Sequence, residues 1–199
     1  MIIYYTLSCS GRHEDSHRLL EKAIAEYTGD REKAGALVRG MQTGENGKPY
    51  IDGFEHFSIS HSGKAWAVLF DESECGLDIQ YEKKSDVLSL ARRWYNPIDA
   101  EAVESAMKAG ESEGRAEFFR LWARREALIK AIEGSVADTS LPPVSKDKVI
   151  IDGREYVIKT ISLADDKELH AAICFRKKEY EDSDGDSGSL FGQSHAHRL

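Results

Sequence analysis

Glu126 and Lys130 are the two residues of this sequence whose spacing first suggests chemistry. They lie four residues apart in the stretch 118–130, which contains no Gly or Pro and is rich in helix-forming residues. On a helix they therefore lie one turn apart on one face, together with Trp122 as an apolar anchor. A carboxylate beside an ammonium can help to bind a metal ion or a phosphate. It can also be an ordinary surface ion pair, which contributes a few tenths of a kcal/mol.

A second polar pair, Asp78 and Gln80, belongs to the short segment 76–80. Apolar residues alternate with them, which predicts a strand with its apolar side chains inward and both polar side chains together on the other face. Taken alone, such a pair is typical of a solvated strand edge. Two oxygen ligands from a strand and the Glu126 carboxylate from a helix would, however, suit a hard cation such as Mg²⁺.

Other polar side chains could hold phosphate groups. Lys48 lies before a proline in a turn-rich loop, and Ser60 and His61 follow a strand-like run, where they are also typical of a plain turn. The basic candidates are Lys48, His61, Arg125 and Lys130. No Gly-rich phosphate-binding motif occurs in the sequence. Together these groups describe a site for a polyphosphate ligand and a metal ion.

A mixed scaffold is needed to bring these residues together. Periodicity and turn residues predict strands at 2–7, 57–59, 64–70, 76–80, 148–151, 156–161 and 169–175, a polar bend at 60–63, and helices at 14–27, 31–39, 85–94, 97–108 and 114–133. This order of strand, helices and strands, followed by the same again, predicts an α+β fold of two similar halves. The predicted halves are residues 1–74 and 75–176. The acidic, Ser- and Gly-rich tail 177–199 is predicted to be disordered.

Composition argues against several classes of protein. The net charge of -8 disfavours a basic nucleic-acid-binding surface. Three cysteines without a CxxC spacing disfavour a disulfide framework and a structural zinc site. No apolar run approaches the roughly 18 residues of a membrane span, and the N-terminal residues do not resemble a signal peptide. The sequence therefore predicts a cytoplasmic protein that binds neither nucleic acid nor membranes.

An ordered set of short motifs resembles the 4'-phosphopantetheinyl transferases, in particular the monomeric two-half type that activates peptide and polyketide synthetases. In chain order the motifs are Gly47-Lys48-Pro49-Tyr50, Phe57-Ser58-Ile59-Ser60-His61-Ser62-Gly63, Gly76-Leu77-Asp78-Ile79-Gln80, Arg93-Trp94-Tyr95 and Trp122-Ala123-Arg124-Arg125-Glu126-Ala127-Leu128-Ile129-Lys130. They span residues 47–130. Each motif is short, but their order and spacing are much more specific together than any one of them is alone.

The resemblance implies an activity, its cofactor and its partner. Such enzymes use Mg²⁺ to transfer the 4'-phosphopantetheine group of coenzyme A to a serine hydroxyl of an apo acyl or peptidyl carrier protein. They release adenosine 3',5'-bisphosphate. The resemblance also implies a monomer with pseudo-twofold related halves and an active site in the cleft between them. An acidic carrier protein would dock on the basic and aromatic cluster Arg92, Arg93 and Trp94. The alternative is a coenzyme A or nucleotide-binding module without transferase activity.

Site residues follow from the same resemblance. Asp78, Gln80 and Glu126 would bind Mg²⁺, and the catalytic residues would be Asp78, Glu126 and Lys130. Coenzyme A would be bound by Arg18, Lys48, Ser60, His61, Arg125 and Lys130. The proton of the attacking serine would go to Glu126, to a metal-bound water, or to an acid in the segment 96–101.

Three residues depart from the pattern of this family. Gln80 stands where a second acid is common, so its amide oxygen can ligate a metal ion but adds no charge. Arg125 replaces the usual Lys, and a guanidinium suits phosphate contact but does not carry a proton. Ala123 replaces a small hydroxyl residue and removes a hydrogen-bonding group. These departures are the features that would support the binding-module alternative.

Overall fold

Two four-stranded sheets, each with helices on one face, form the fold. The computed structural model describes residues 1–178 and 195–199. The helices are α1 (His13–Thr28), α2 (Arg31–Arg39), α3 (Val87–Trp94), α4 (Pro97–Ala109) and α5 (Glu111–Ile132). The strands are β1 (Ile2–Thr6), β2 (Gln42–Thr43), β3 (Pro49–Tyr50), β4 (His56–Ser62), β5 (Ala65–Asp71), β6 (Cys75–Tyr81), β7 (Lys148–Ile151), β8 (Arg154–Ile161), β9 (Leu169–Arg176) and β10 (His195–Arg198). The predicted mixture of helices and strands is confirmed.

The strands are divided between two main sheets. The first sheet has the order β10-β1-β5-β4, and the second has the order β6-β9-β8-β7. Residues 72–74 connect the end of β5 to the start of β6, so the chain passes directly from one sheet to the other. The short strands β2 and β3 form a separate hairpin that carries Lys48 in its turn.

Three apolar cores arrange the sheets and helices in four layers. α1 and α2 cover one face of the first sheet around Leu20 and Trp66. α3, α4 and α5 cover one face of the second sheet around Leu128 and Ile158. The inner faces of the two sheets share a third core, in which Leu69 of β5 packs with residues of β6 such as Leu77. None of the described helices is long and apolar enough to span a bilayer.

The predicted bend at residues 60–63 is wrong for its first three positions, because Ser60 to Ser62 continue strand β4. The hydroxyls of Ser58, Ser60 and Ser62 face β6 and accept hydrogen bonds from its backbone N–H groups. A row of polar side chains is therefore compatible with a buried strand, since each hydroxyl has a partner inside the protein. The turn to β5 occurs only at Gly63, which has a positive φ of 55°.

The predicted disorder of residues 177–199 is wrong for the last strand. Residues 195–198 form β10, which pairs in parallel with β1. The open edge of β1 offers backbone groups that need partners, and the ring of His197 stacks on that of Tyr4 at 5.4 Å between centroids. Lys177 also donates its backbone N–H to Glu155. The prediction for residues 179–194 lies outside the described residues.

Candidate active site

The absence of a side chain at Gly76 sets the distance between β6 and α5. A Cβ atom at this position would lie 1.9 Å from the carbonyl oxygen of Ala127 and 2.7 Å from the backbone nitrogen of Ala131. The backbone of the helix thus lies directly against the strand. Because Asp78 follows two residues later on the same face of β6, it comes beside Glu126 and Lys130 of α5. The sequence motif contained Gly76, but its role had not been predicted.

Asp78 is the centre of this polar cluster and is only 6% exposed. Its Oδ1 atom accepts hydrogen bonds from Nζ of Lys130 and from Oγ of Ser60, each at 2.7 Å. Within residues 1–178 and 195–199, no hydrogen bond ends on its Oδ2 atom. One oxygen of the carboxylate is therefore fixed by two donors, and the other is left for a further partner.

Two lysines bind the backbone of β6 on the edge that faces β4. Lys130 donates to the carbonyl of Leu77 at 3.0 Å, and Lys48 donates to the carbonyl of Cys75 at 3.1 Å. Lys48 also lies 3.9 Å from the carboxylate of Glu133, the residue that follows α5. Both predicted phosphate-binding lysines are thus brought to one strand edge, and each has an ammonium group bonded to protein carbonyls.

Glu126 has a buried carboxylate oxygen, Oε1, without a hydrogen-bond partner among the described residues. Burial, and next the negative charge of Asp78, raise the pKa of Glu126 above its ordinary value, while Lys130 and Arg125 act in the opposite direction. Glu126 and Asp78 are therefore close enough to repel each other, and a cation between them would relieve that repulsion.

The donor set around Asp78 fits a hard cation. Gln80 donates its amide nitrogen to the carbonyl of Tyr81 at 3.0 Å, and its amide oxygen has no hydrogen bond within the described part of the chain. No group of three or more His, Cys, Asp or Glu side chains that could hold a metal ion occurs among residues 1–178 and 195–199. The candidate set thus has two carboxylates and one amide oxygen, which are ligand types that Mg²⁺ accepts along with water and substrate oxygens.

Ser60 and His61 project from opposite faces of β4. Ser60 accepts the backbone N–H of Ile79 at 3.1 Å and donates to Asp78, so its hydroxyl is fully used inside the protein. His61 is exposed and is paired in register with Trp66, whose indole N–H donates to Ser16 of α1 at 2.8 Å. His61 therefore lies on the side of the first sheet that α1 covers.

Arg18 is not brought into contact with the Asp78 cluster. Its side chain is 73% exposed on α1, and its guanidinium pairs with Asp15 at 2.5 Å. A hydrogen bond from the backbone N–H of Ser10, followed by the bond to Arg18, keeps the pKa of Asp15 far below its usual range. Of the predicted ligands of coenzyme A, only Lys48, Ser60 and Lys130 meet at the edge between the two sheets.

Arg124 and Arg125 of α5 bind the loop between α5 and β7, a role that was not predicted from the sequence. Arg125 is buried and donates to the carbonyls of Val136 and Asp138 at 2.9 and 2.6 Å. Arg124 is also buried and binds the carbonyl of Lys146 and the carboxylate of Asp147, each at 2.9 Å. Burial is the main cause that lowers the pKa of both guanidinium groups. The predicted phosphate ligand Arg125 is thus directed into the loop that follows α5.

Asp99, the acid at the start of α4, is also used in the interior. Its two carboxylate oxygens accept the backbone N–H groups of Val144 and Ser145 at 2.7 and 3.0 Å, and the residue is 2% exposed. The helix itself begins as predicted, with Asn96 as its N-cap. Asp99 therefore positions the loop at Val144 and Ser145. The sequence could not predict this role, because an acid in the first helical turn is common at any helix start.

The predicted docking cluster lies at the end of α3. Arg92 pairs with Glu104 of α4 at 2.8 Å. The guanidinium of Arg93 lies over the ring of Trp94, 4.7 Å from its centroid. These contacts hold both side chains on the helix surface.

Comparison with known proteins connects this cluster to one family. The sequence profile of the 4'-phosphopantetheinyl transferase superfamily matches residues 74–183. A 4'-phosphopantetheinyl transferase of Bacillus subtilis is 30% identical over 121 residues, which cover 59% of this chain and 52% of that protein. The 4'-phosphopantetheinyl transferase AcpT of Salmonella typhi is 36% identical over 112 residues, covering 51% of this chain and 56% of the relative.

A third relative is the 4'-phosphopantetheinyl transferase Sfp of Bacillus subtilis strain 168. It is 32% identical over 92 residues, which cover 45% of this chain and 39% of the relative. The chain thus spans about half the length of the curated relatives it matches, or less. The profile match begins just before β6 and includes α5, so it contains Asp78, Gln80, Glu126 and Lys130.

Proposed function

This chain belongs to the 4'-phosphopantetheinyl transferase superfamily, and we propose that it transfers the 4'-phosphopantetheine group of coenzyme A to a serine hydroxyl of an apo acyl or peptidyl carrier protein. In this reaction the serine oxygen forms a bond to phosphorus, and the bond from phosphorus to the bridging oxygen breaks. Adenosine 3',5'-bisphosphate leaves with the electron pair of that bond. The serine proton must pass to a base.

The observation that carries this proposal is the cluster at the contact between β6 and α5. Asp78 has one oxygen without a hydrogen bond to the described residues, and the buried Oε1 atom of Glu126 has no such partner either. Lys130 brings a positive charge to within 2.7 Å of the same carboxylate. Acidic oxygens and an ammonium side by side suit a ligand that combines a cation with phosphate groups.

Asp78, Glu126 and Gln80 are the residues we propose as holders of Mg²⁺. When bound, the ion would neutralise charge on the phosphate oxygens of the substrate. Without an ion, the charge of Asp78 is balanced by Lys130 alone among the basic side chains that the structure describes at hydrogen-bonding distance. This arrangement explains how two neighbouring carboxylates can be kept close together in a folded protein before the substrate arrives.

Lys130 and Lys48 are the proposed phosphate ligands on the chain. Lys48 binds the neutral carbonyl of Cys75, a bond that can be exchanged for a stronger charge-assisted bond to phosphate. Lys130 binds the carbonyl of Leu77 and the carboxylate of Asp78, so its move to a phosphate would require a cation to take over the charge of Asp78. Lys130 would then stabilise the charge that develops on the leaving phosphate. His61 and Arg18 are exposed near α1, and we propose that they bind the adenosine end of coenzyme A.

Glu126 is the proposed acceptor of the serine proton. The support is its buried Oε1 atom, which has no hydrogen-bond partner among the described residues and could accept a proton beside the phosphate site. Asp99 is a poorer candidate, because both of its carboxylate oxygens are already bonded to backbone N–H groups.

We also propose that the site lies in a cleft between two pseudo-twofold related halves of one monomer. The support is that Ser60 of the first sheet and Asp78 of the second meet at this point, so that one chain supplies both sides. A cytoplasmic location is proposed because Cys9, Cys75 and Cys174 are free and buried, as expected of a chain in a reducing compartment. Arg92, Arg93 and Trp94 remain the proposed docking surface for the carrier.

A mass measurement on the carrier tests the proposed function. The full chain is incubated with coenzyme A, MgCl₂ and an apo carrier domain, and the carrier is then weighed. A gain of one phosphopantetheine group is expected with the wild type. Asp78→Ala should abolish the gain, whereas Asp165→Ala, which removes an exposed carboxylate elsewhere, should not. Full transfer by Asp78→Ala would refute the metal assignment.

The second candidate function is a coenzyme A-binding module without catalysis. Gln80, Ala123 and Arg125 favour it, since each departs from the family at or beside the cluster. Binding of coenzyme A by the wild type without any gain in carrier mass would support this candidate against the transferase.

A further inference from the structure

The serines of β4 form a row whose middle member differs from its neighbours. Ser58, Ser60 and Ser62 alternate along the strand and all face β6. Their hydroxyl oxygens accept the backbone N–H groups of Leu77, Ile79 and Tyr81 at 2.9, 3.1 and 2.9 Å. Only Ser60 makes a second bond in this set, to a carboxylate on the strand that it supports.

The direction of both bonds of Ser60 is fixed by chemistry. The N–H of Ile79 can only donate, so the hydroxyl oxygen of Ser60 accepts there. Its single proton is then donated to Oδ1 of Asp78, which accepts it at 2.7 Å. Ser60 is 6% exposed, and no further hydrogen remains on its oxygen for a phosphate.

From this geometry we infer that Ser60 is a positioning residue, whose hydroxyl orients the Asp78 carboxylate for a divalent cation and is not available as a donor to coenzyme A. The inference rests on the proposed function, because the cation is the one that function requires. Ser60 binds Oδ1, while Oδ2 has no hydrogen bond with the described residues, so Oδ2 is the oxygen that is left for the cation.

Lys130 makes this role more important. It also binds Oδ1 of Asp78, at 2.7 Å, but the proposed function requires its ammonium to move to a substrate phosphate. Ser60 is then the one hydrogen-bond donor that still holds the carboxylate among the described residues. A side chain that keeps a metal ligand in one orientation typically changes metal affinity or activity by about 10- to 100-fold when it is removed.

Ser58 and Ser62 provide matched controls for this inference. Ser58→Ala and Ser62→Ala each remove one hydroxyl that accepts a backbone N–H of β6, as Ser60→Ala does, but they leave Asp78 untouched. All three variants lose a buried acceptor of a backbone N–H, so each should have a lower melting temperature than the wild type. Any additional effect of Ser60→Ala on cation binding therefore reports on Asp78.

Calorimetric titration with MgCl₂ tests the inference on the full chain. Saturating coenzyme A is present and carrier is absent, because Mg²⁺ shares the phosphate oxygens of its substrate. Ser60→Ala should weaken Mg²⁺ binding by about tenfold or more, while Ser58→Ala and Ser62→Ala should stay near the wild type. Equal Mg²⁺ affinity of Ser60→Ala and Ser58→Ala would overturn the inference.

Two further outcomes keep the result decisive. Ser60→Cys retains the shape and a weak donor, so its Mg²⁺ affinity should fall between those of the wild type and Ser60→Ala. If Ser60→Ala does not fold, a wild-type affinity in Ser60→Cys would overturn the inference. A weakened Ser60→Ala in a protein that transfers nothing to a carrier would uphold it and reject the proposed function. A wild type that binds no Mg²⁺ would overturn it whether or not transfer occurs.

Discussion

The ammonium nitrogen of Lys130 lies 2.7 Å from Oδ1 of Asp78, a residue on a different element and 52 positions away in the chain. A surface ion pair between Lys130 and Glu126, one helical turn apart, was one of the two interpretations that the sequence allowed, the other being separate roles towards a phosphate and a metal ion. Within the described residues, the carboxylate that pairs with Lys130 is that of Asp78. The bond therefore connects α5 to β6, and the carboxylate of Glu126 remains available for another partner.

Gln80→Glu should strengthen Mg²⁺ binding. The change adds a negative charge and a charged ligand beside Asp78 and Glu126, and hard cations are bound more tightly as the ligand charge rises. We expect the Mg²⁺ concentration that gives half-maximal transfer to fall by about tenfold, which corresponds to ~1.4 kcal/mol.

The matched control for Gln80→Glu is Ser112→Glu. It adds the same charge at an exposed position of α5, roughly 20 Å along the helix from Glu126. The control should leave the Mg²⁺ dependence as it is in the wild type. An unchanged half-saturation in Gln80→Glu would show that Gln80 is not a ligand.

Glu126→Gln should stabilise the ion-free protein, and the gain should depend on pH. Burial, with a second contribution from Asp78, raises the pKa of Glu126 in the folded state. The stability that this residue contributes is therefore complete below its unfolded pKa and is lost as pH rises through its folded pKa. A neutral Gln avoids that loss, so the variant should be measurably more stable than the wild type at neutral to basic pH.

Urea unfolding without Mg²⁺ measures this effect. The difference between Glu126→Gln and the wild type should shrink towards zero as pH approaches the unfolded pKa of Glu, about 4.3. Glu45→Gln, a substitution at an exposed carboxylate, is the control. A stability gain that is equal at low and high pH would mean that the charge of Glu126 is not its cause.

Gly76→Ala should separate α5 from β6. The added Cβ would come within 1.9 Å of the carbonyl oxygen of Ala127, which is backbone and cannot rotate away. We expect a loss of about 1–3 kcal/mol in the free energy of unfolding from the overpacking, together with loss of transfer, because Asp78 and Glu126 move apart. Chemical denaturation and carrier mass measure the two effects.

The control for Gly76→Ala is Gly40→Ala at the end of α2. Its Cβ would lie 3.6 Å from the carbonyl oxygens of Ala36 and Leu37, an ordinary van der Waals distance, and its φ of -87° is open to any residue. This variant should remain close to the wild type in both measurements. If Gly76→Ala behaved in the same way, the close approach of helix and strand would not be what positions the cluster.

Arg125→Lys restores the residue that is usual in the family but should weaken the loop after α5. Both bonds leave one guanidinium nitrogen, Nη2, and the ammonium of Lys ends one bond closer to the helix backbone, so at least one of the two bonds should be lost. We expect about 1 kcal/mol of destabilisation and faster amide exchange in residues 134–140. The Michaelis constant for coenzyme A should not change.

Arg31→Lys, at the exposed start of α2, serves as the control for the loss of a guanidinium. If Arg125→Lys instead had normal stability and a raised Michaelis constant for coenzyme A, Arg125 would be a phosphate ligand as the sequence predicted.

Sequence reasoning succeeded where the signal is local. Alternation along β6 predicted that Asp78 and Gln80 share a face, and helical spacing predicted that Glu126 and Lys130 do. Both follow from fixed geometry within one element. The extents of the main elements follow for the same reason, apart from small shifts such as the start of α5 at Glu111, where Gly114 lies inside the helix against Met107.

Contacts between elements were beyond such reasoning. The bond from Ser60 to Asp78 and that from Lys48 to the carbonyl of Cys75 join segments of different strands and loops. Every residue has a backbone carbonyl, so the residue types in a sequence do not indicate which carbonyl a lysine will bind. The period-two serines of β4 were visible, but serines are also common in turns, and only the position of β6 decides between the two interpretations.

The short strand β10 has a consequence for how the protein behaves at high concentration. Its partner β1 is Ile2–Thr6, a run of β-branched and aromatic residues without a charge. Such an edge, if open, is a template on which another copy could add a strand and begin to aggregate. β10 pairs with that edge and brings Arg198 to it. Residues 195–198 thus keep the edge of the first strand from pairing with another copy of the chain.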